Sequence, residues 1–167
     1  DTIGIDWGDG TFETFNADNA ANSYNHNFAS GTRTISVYSD PTNVETLELS
    51  SESLLSLDVE DLTTLNSLEA IDNPNLRVVT LPATNTGTWV SLRLDSCDVL
   101  GTLDASGLGS MPPNFRVHLN ASLSGLILPA DSTPVTKFWA YGTAIASLDF
   151  SANDIGGAIL LHSSSLA

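Results

Sequence analysis

The chain carries three histidines, His26, His118 and His162, and none has a Cys or carboxylate at metal-ligand spacing. Zinc chemistry is therefore not expected. Asp6, Asp9 and the run Asn16-Ala17-Asp18-Asn19 offer oxygens that calcium would accept, but no D-x-D-x-D-G loop with a closing Glu is present. These residues read first as turn formers, with calcium near Asp6 and Asp9 as the lesser option. Serines are abundant, yet there is no G-x-S-x-G elbow, and no nucleophile, base and oxyanion donor assemble. Neither catalysis nor a cofactor is expected. Asn120-Ala121-Ser122 matches a glycosylation acceptor. What remains is a set of cations and aromatics: Arg93, Arg116, His118, Lys137, Trp139, Tyr141 and His162. Arg and aromatic side chains are the usual anchors of recognition surfaces, and Trp or Tyr can stack on sugar rings. The chemistry to expect is binding.

Those residues are gathered by a repeat. From Val44 onward the pattern apolar-x-x-apolar-x-apolar-x-x-small-polar recurs. It runs Val44-Leu47-Leu49-Glu52, Leu65-Leu68-Ala70-Asn73 and Trp89-Leu92-Leu94-Cys97. It continues as Asn114-Val117-Leu119-Ser122, Val135-Phe138-Ala140-Thr143 and Gly156-Ile159-Leu161-Ser164. Steps of 21, 24, 25, 21 and 21 residues separate the strands, placed near 47–49, 68–70, 92–94, 117–119, 138–140 and 159–161. A second register follows each strand, at Leu57-Asp58-Val59, Leu81-Pro82-Ala83, Leu103-Asp104-Ala105, Leu128-Pro129-Ala130 and Leu148-Asp149-Phe150. One such unit cannot bury its Leu face alone, so neighbours must stack on it. The small polar position turns inward, which gives Cys97 a structural reading over a reactive one.

Residues beside the apolar pair point away from the core. In this register the middle outward column reads Glu48, Glu69, Arg93, His118, Trp139, Leu160. The column before it reads Thr46, Ser67, Ser91, Arg116, Lys137, Ala158, and the one after it Ser50, Ile71, Asp95, Asn120, Tyr141, His162. Three of the five Lys and Arg residues thus fall on one face. Two readings of that face stand: a ligand patch, or a surface packed against a neighbouring segment.

Residues 1–40 read as a small β unit. Thr2 to Trp7 alternates with Ile3, Ile5 and Trp7 on one face, Gly8-Asp9-Gly10 turns, and Thr11 to Phe15 pairs back. Tyr24, His26 and Phe28 alternate next, and Thr32 to Tyr38 is a further strand. The stretch Asp6-Trp7-Gly8-Asp9-Gly10-Thr11, with Tyr24-Asn25-His26-Asn27-Phe28, Gly31 and Thr34-Ile35-Ser36-Val37, resembles part of a polycystic-kidney-disease-type (PKD) domain, an immunoglobulin-like sandwich. The repeats in 44–167 resemble leucine-rich repeats, and Leu103-Asp104-Ala105-Ser106 and Leu148-Asp149-Phe150-Ser151 are similar to turns of bacterial surface leucine-rich proteins. Together these resemblances imply a mainly β fold. A leucine-rich β-solenoid of about six irregular turns would follow a PKD-like β-hairpin module, in a chain expected to continue beyond residue 167.

Composition narrows the partners. With 5 basic against 20 acidic residues the net charge is −15, which argues against nucleic acid and anionic membranes as ligands. One cysteine excludes an internal disulfide framework, and no apolar run is long enough to insert in a membrane. The resemblances imply a non-enzymatic extracellular or cell-surface module that binds protein or glycan. The alternative is a structural part of a bacteriophage virion, contacting neighbouring subunits.

Overall fold

Apolar–polar alternation over three to five residues is too short for a helix and suits strands, and every regular element among the described residues is a strand. The computed structural model describes residues 2–16, 35–38, 44–50, 53–131 and 133–161. The first three strands, β1 (Thr2–Asp6), β2 (Phe12–Asn16) and β3 (Ser36–Tyr38), form an antiparallel sheet in the order β2-β1-β3. The β1–β2 turn is closed as the Asp-Gly pattern expects. Gly8 and Gly10 take φ of 70° and 93°, Gly8 N–H donates to Asp6 Oδ1, and Thr11 donates to Asp9 Oδ1. Ile5 and Trp7 are buried on one face, and Trp7 Nε1 donates to Glu13 Oε2 across the hairpin. The expected alternation at Tyr24, His26 and Phe28 lies outside the described residues.

The remaining strands build a β-solenoid of about five turns. One face is a parallel sheet of six strands: β4 (Thr46–Glu48), β6 (Ser67–Glu69), β8 (Ser91–Arg93), β10 (Asn114–Arg116), β12 (Lys137–Trp139) and β13 (Ala158–Leu160). The return paths of the first four turns each carry a short strand on a second face, while the fifth, with Leu148-Asp149-Phe150 where a strand was expected, carries none among the described residues. Here β5 (Ser56–Asp58) pairs with β7 (Val78–Thr80), and β9 (Thr102–Asp104) pairs with β11 (Gly125–Ile127), both parallel. Pairing in register stacks like on like: Leu47, Leu68, Leu92, Phe115, Phe138 and Ile159 form one column. Its four inner members are fully buried, each burial contributing about 2–3 kcal/mol. Phe115 and Phe138 stack at 5.3 Å, and Phe150 meets Phe138 edge-on at 5.0 Å. Leu47 and Ile159, at the two ends of the column, are only partly covered.

The bend after each strand is equally periodic. Asp72, Ser96, Leu119 and Gly142, each four residues beyond the column position, adopt left-handed φ of 56°, 59°, 57° and 68°. The next residue points inward: Asn73, Cys97, Asn120 and Thr143 are buried in a polar ladder. Asn120 Nδ2 donates to the carbonyls of Leu94 and Val117 while its Oδ1 accepts the Cys97 N–H. Asn73 closes the turn before it in the same manner, through Leu49 O, Ile71 O and the Leu54 N–H. These bonds satisfy backbone groups that the sharp bend leaves without a strand partner.

Three expectations are corrected. The fourth strand is Asn114–Arg116, not 117–119, so the steps are 21, 24, 23, 23 and 21 residues. Phe115 fills the column in place of Val117, Leu119 is 46% exposed, and Asn120 rather than Ser122 occupies the inward polar position. The second-face strands likewise centre on Val79 and Leu126, two residues before the Leu81 and Leu128 expected there. Finally, six strands bound about five turns, not six.

Candidate binding face

Moving β10 by two residues rearranges the outward columns. The middle column becomes Glu48, Glu69, Arg93, Arg116, Trp139, Leu160, and the one before it Thr46, Ser67, Ser91, Asn114, Lys137, Ala158. Two residues beyond the middle column lie Ser50, Ile71, Asp95, His118 and Tyr141, continuing the same lines. Arg116 therefore stands beside Trp139, and His118 stands between Asp95 and Tyr141.

Side chains interlock along these lines. Asp95, 3% exposed, is the buried anchor. Its Oδ2 accepts two bonds from Arg93, from Nε at 3.2 Å and Nη2 at 3.1 Å, while Arg93 Nη1 reaches Glu69 Oε2 at 3.2 Å. Its Oδ1 lies 3.0 Å from His118 Nδ1, an ion pair when the imidazole is protonated. Burial pushes the Asp95 carboxyl above its ordinary value, against the pull of His118 and Arg93. Burial also holds His118 below its ordinary value, opposed by Asp95 and reinforced by Arg116 and Arg93.

The His118 ring continues into aromatics. It lies 4.5 Å from the Tyr141 ring, tilted by 32°, and meets Trp139 edge-on at 5.5 Å. The Arg116 guanidinium covers the Trp139 ring at 4.2 Å, a cation–π contact of about 0.5–1 kcal/mol. Its Nε donates to Asn114 Oδ1, and Asn114 Nδ2 donates to Ser91 Oγ, so the stack is held from below by a polar chain.

Six of the seven residues singled out from sequence thus sit on this face. Arg116, His118, Trp139 and Tyr141 are in contact, Arg93 joins them through Asp95, and Lys137 is exposed at the head of β12. His162 lies outside the described residues. Three participants were not singled out: Asp95, Glu69 and Asn114. Their signal was present in Asn120, which as the inward polar residue fixes β10 and so sets Asp95 against His118.

Charge is segregated along the face. The β4–β8 half carries Glu48, Glu69 and Asp95 against Arg93. From β10 to β13 the columns hold Arg116, His118 and Lys137 and no carboxylate among the described residues. Elsewhere, Asp6 and Asp9 use their carboxylates to close the hairpin turn. Among the described residues no three His, Cys, Asp or Glu side chains gather to hold a metal ion, and no helix is long and apolar enough to cross a membrane. No protein-family model, curated protein or solved structure matches the chain.

Proposed function

We propose that the chain is a non-enzymatic recognition module of the extracellular, leucine-rich kind, entered through a PKD-like hairpin. It holds a protein or glycan ligand on the β10–β13 half of its strand face. The observation that carries this reading is the interlocked array itself. Asp95 fixes Arg93 and His118, His118 backs Tyr141, and Arg116 lies on Trp139. Side chains already held in one arrangement lose little freedom when a ligand arrives, which favours affinity. Large aromatics and Arg at the centre of a face are the side chains that dominate binding energy. The test is the pair Trp139→Ala and Tyr141→Ala, assayed by glycan array and cell-surface binding, with circular dichroism to check the fold. Loss of binding with the fold intact is expected. Unaltered binding would remove the face from consideration.

A further inference from the structure

Resting on that reading, we infer that the ligand is an acidic polysaccharide, a pyranose chain bearing carboxylates, held by Arg116 and Lys137 beside Trp139 and Tyr141.

The cations of the face differ in how far the protein itself satisfies them. Arg93 is neutralised by Glu69 and Asp95 at 3.2 and 3.1 Å. Arg116 uses Nε on Asn114 and its flat face on Trp139, and among the described residues no acceptor is bonded to its two terminal nitrogens. Lys137 has no hydrogen bond or ion pair among the described residues, and its side chain is exposed. On adjacent strands of a chain with net charge −15, these two cations stand in outward columns that, among the described residues, hold no carboxylate from β10 onward, the nearest being buried Asp95 on the turn before. The net charge that disfavours nucleic acid acts against this anion too, so the local pair must outweigh it within a Debye length of about 8–10 Å. A ligand that brings its own carboxylates completes the pair.

The rings choose between anions. Trp139 and Tyr141 sit immediately beside the cations, half-buried, with centroids 6.4 Å apart. Arg116 covers one face of Trp139 and His118 lies against Tyr141, so a pyranose would lay its C–H face on the opposite side of these rings while its hydroxyls stay wet. An acidic peptide would use the charges and leave the rings idle. Strands repeat every ~4.8 Å, so β10 to β13, two spacings apart, span roughly 10 Å, room for a short stretch of a linear chain lying across the strands.

The experiment measures binding of the full chain to a panel of acidic oligosaccharides (galacturonate, guluronate and glucuronate oligomers), to their methyl-esterified counterparts, and to a poly-glutamate peptide. Binding to at least one acidic oligomer is expected, with loss on esterification and weakening as salt is raised. Lys137→Ala and Arg116→Gln should each weaken it by roughly fivefold, the upper end for one exposed charge contact. Arg77→Ala, which changes a cation preceding β7 on the other sheet, should leave it unchanged. Lys137 is exposed, so its variant reports on binding even where Arg116→Gln disturbs the Trp139 stack. Equal binding of the esterified oligomers would overturn the acidic class and leave a glycan module standing. Equally tight binding of poly-glutamate would overturn the polysaccharide. No binding to any acidic oligomer, alongside neutral glycans bound on the array, would overturn it as well. An array without any Trp139-dependent binding would remove the binding face and this inference together.

Discussion

Asn120 shows how much one side chain decides here. As the first residue of Asn-Ala-Ser it looks like a glycan acceptor, but its amide is fully buried and engaged with three backbone groups, so the folded chain cannot present it for modification. Cys97, one turn earlier in the same ladder, donates from Sγ to Ala70 O at 3.2 Å, and burial pushes its thiol up to about 11. A thiol reagent at mildly alkaline pH should therefore label Cys97 only after the chain is unfolded; fast labelling of the native protein would contradict the buried ladder. His118 gives a pH prediction. Its folded value lies below the ordinary 6.5, so the folded protein binds fewer protons there than the unfolded chain does. Its contribution to stability is present above 6.5 and is lost as pH falls from 6.5 through the folded value. Asp95 runs the other way: its folded value is raised, so its contribution is full below the ordinary 3.8 and is lost as pH rises through the folded value. Urea midpoints of the wild type should drop just below 6.5 more than those of His118→Gln. Parallel pH profiles would place the titration on another group. At this scale the sequence named five of the residues now in contact, but paired them wrongly, because His118 and Arg116 each stood one column out of place.

The elements explain why. A slip of one residue turns every side chain of a strand to the opposite face, but a slip of two restores it. Asn114-Val117-Leu119 and Pro112-Phe115-Val117 therefore present the same in–out alternation, and hydrophobic pattern alone cannot separate them. The bend separates them, since the inward polar residue must follow a left-handed one. The same ambiguity moved the expected second-face strands onto Leu81 and Leu128, which lie past β7 and β11. The left-handed column carries its own prediction. Leu119 holds φ of 57° at an exposed site, a conformation that costs a residue with a Cβ about 1 kcal/mol or more. Leu119→Gly should raise the unfolding free energy by about 1 kcal/mol, despite the greater freedom of the unfolded chain. Gly142→Ala, one turn later at φ of 68°, should lower it by a similar amount, and its new Cβ would come within 3.3 Å of the Leu119 side chain. Denaturant titration of both variants checks the column; shifts of the same sign would refute it.

For the whole molecule, the all-β class, the stacked repeat and the hairpin were all legible, because they depend on alternation and on turn residues spread over many positions. The face was not fully legible, because it depends on how neighbouring turns align, which no single repeat records. Of the 20 acidic residues, the outward columns of the six-stranded sheet hold only Glu48, Glu69 and Asp95 among the described residues, all on the β4–β8 half. Each turn of the solenoid is bonded to its neighbours through short three-residue ladders and through backbone and Asn bonds around the bends. Tension along the stack would therefore load these ladders in series, peeling the strands one after another rather than shearing them all at once. A turn of 23 residues, such as that between Leu92 and Phe115, would release roughly 80 Å of chain as it gave way. A module built in this way would lengthen under load in discrete steps.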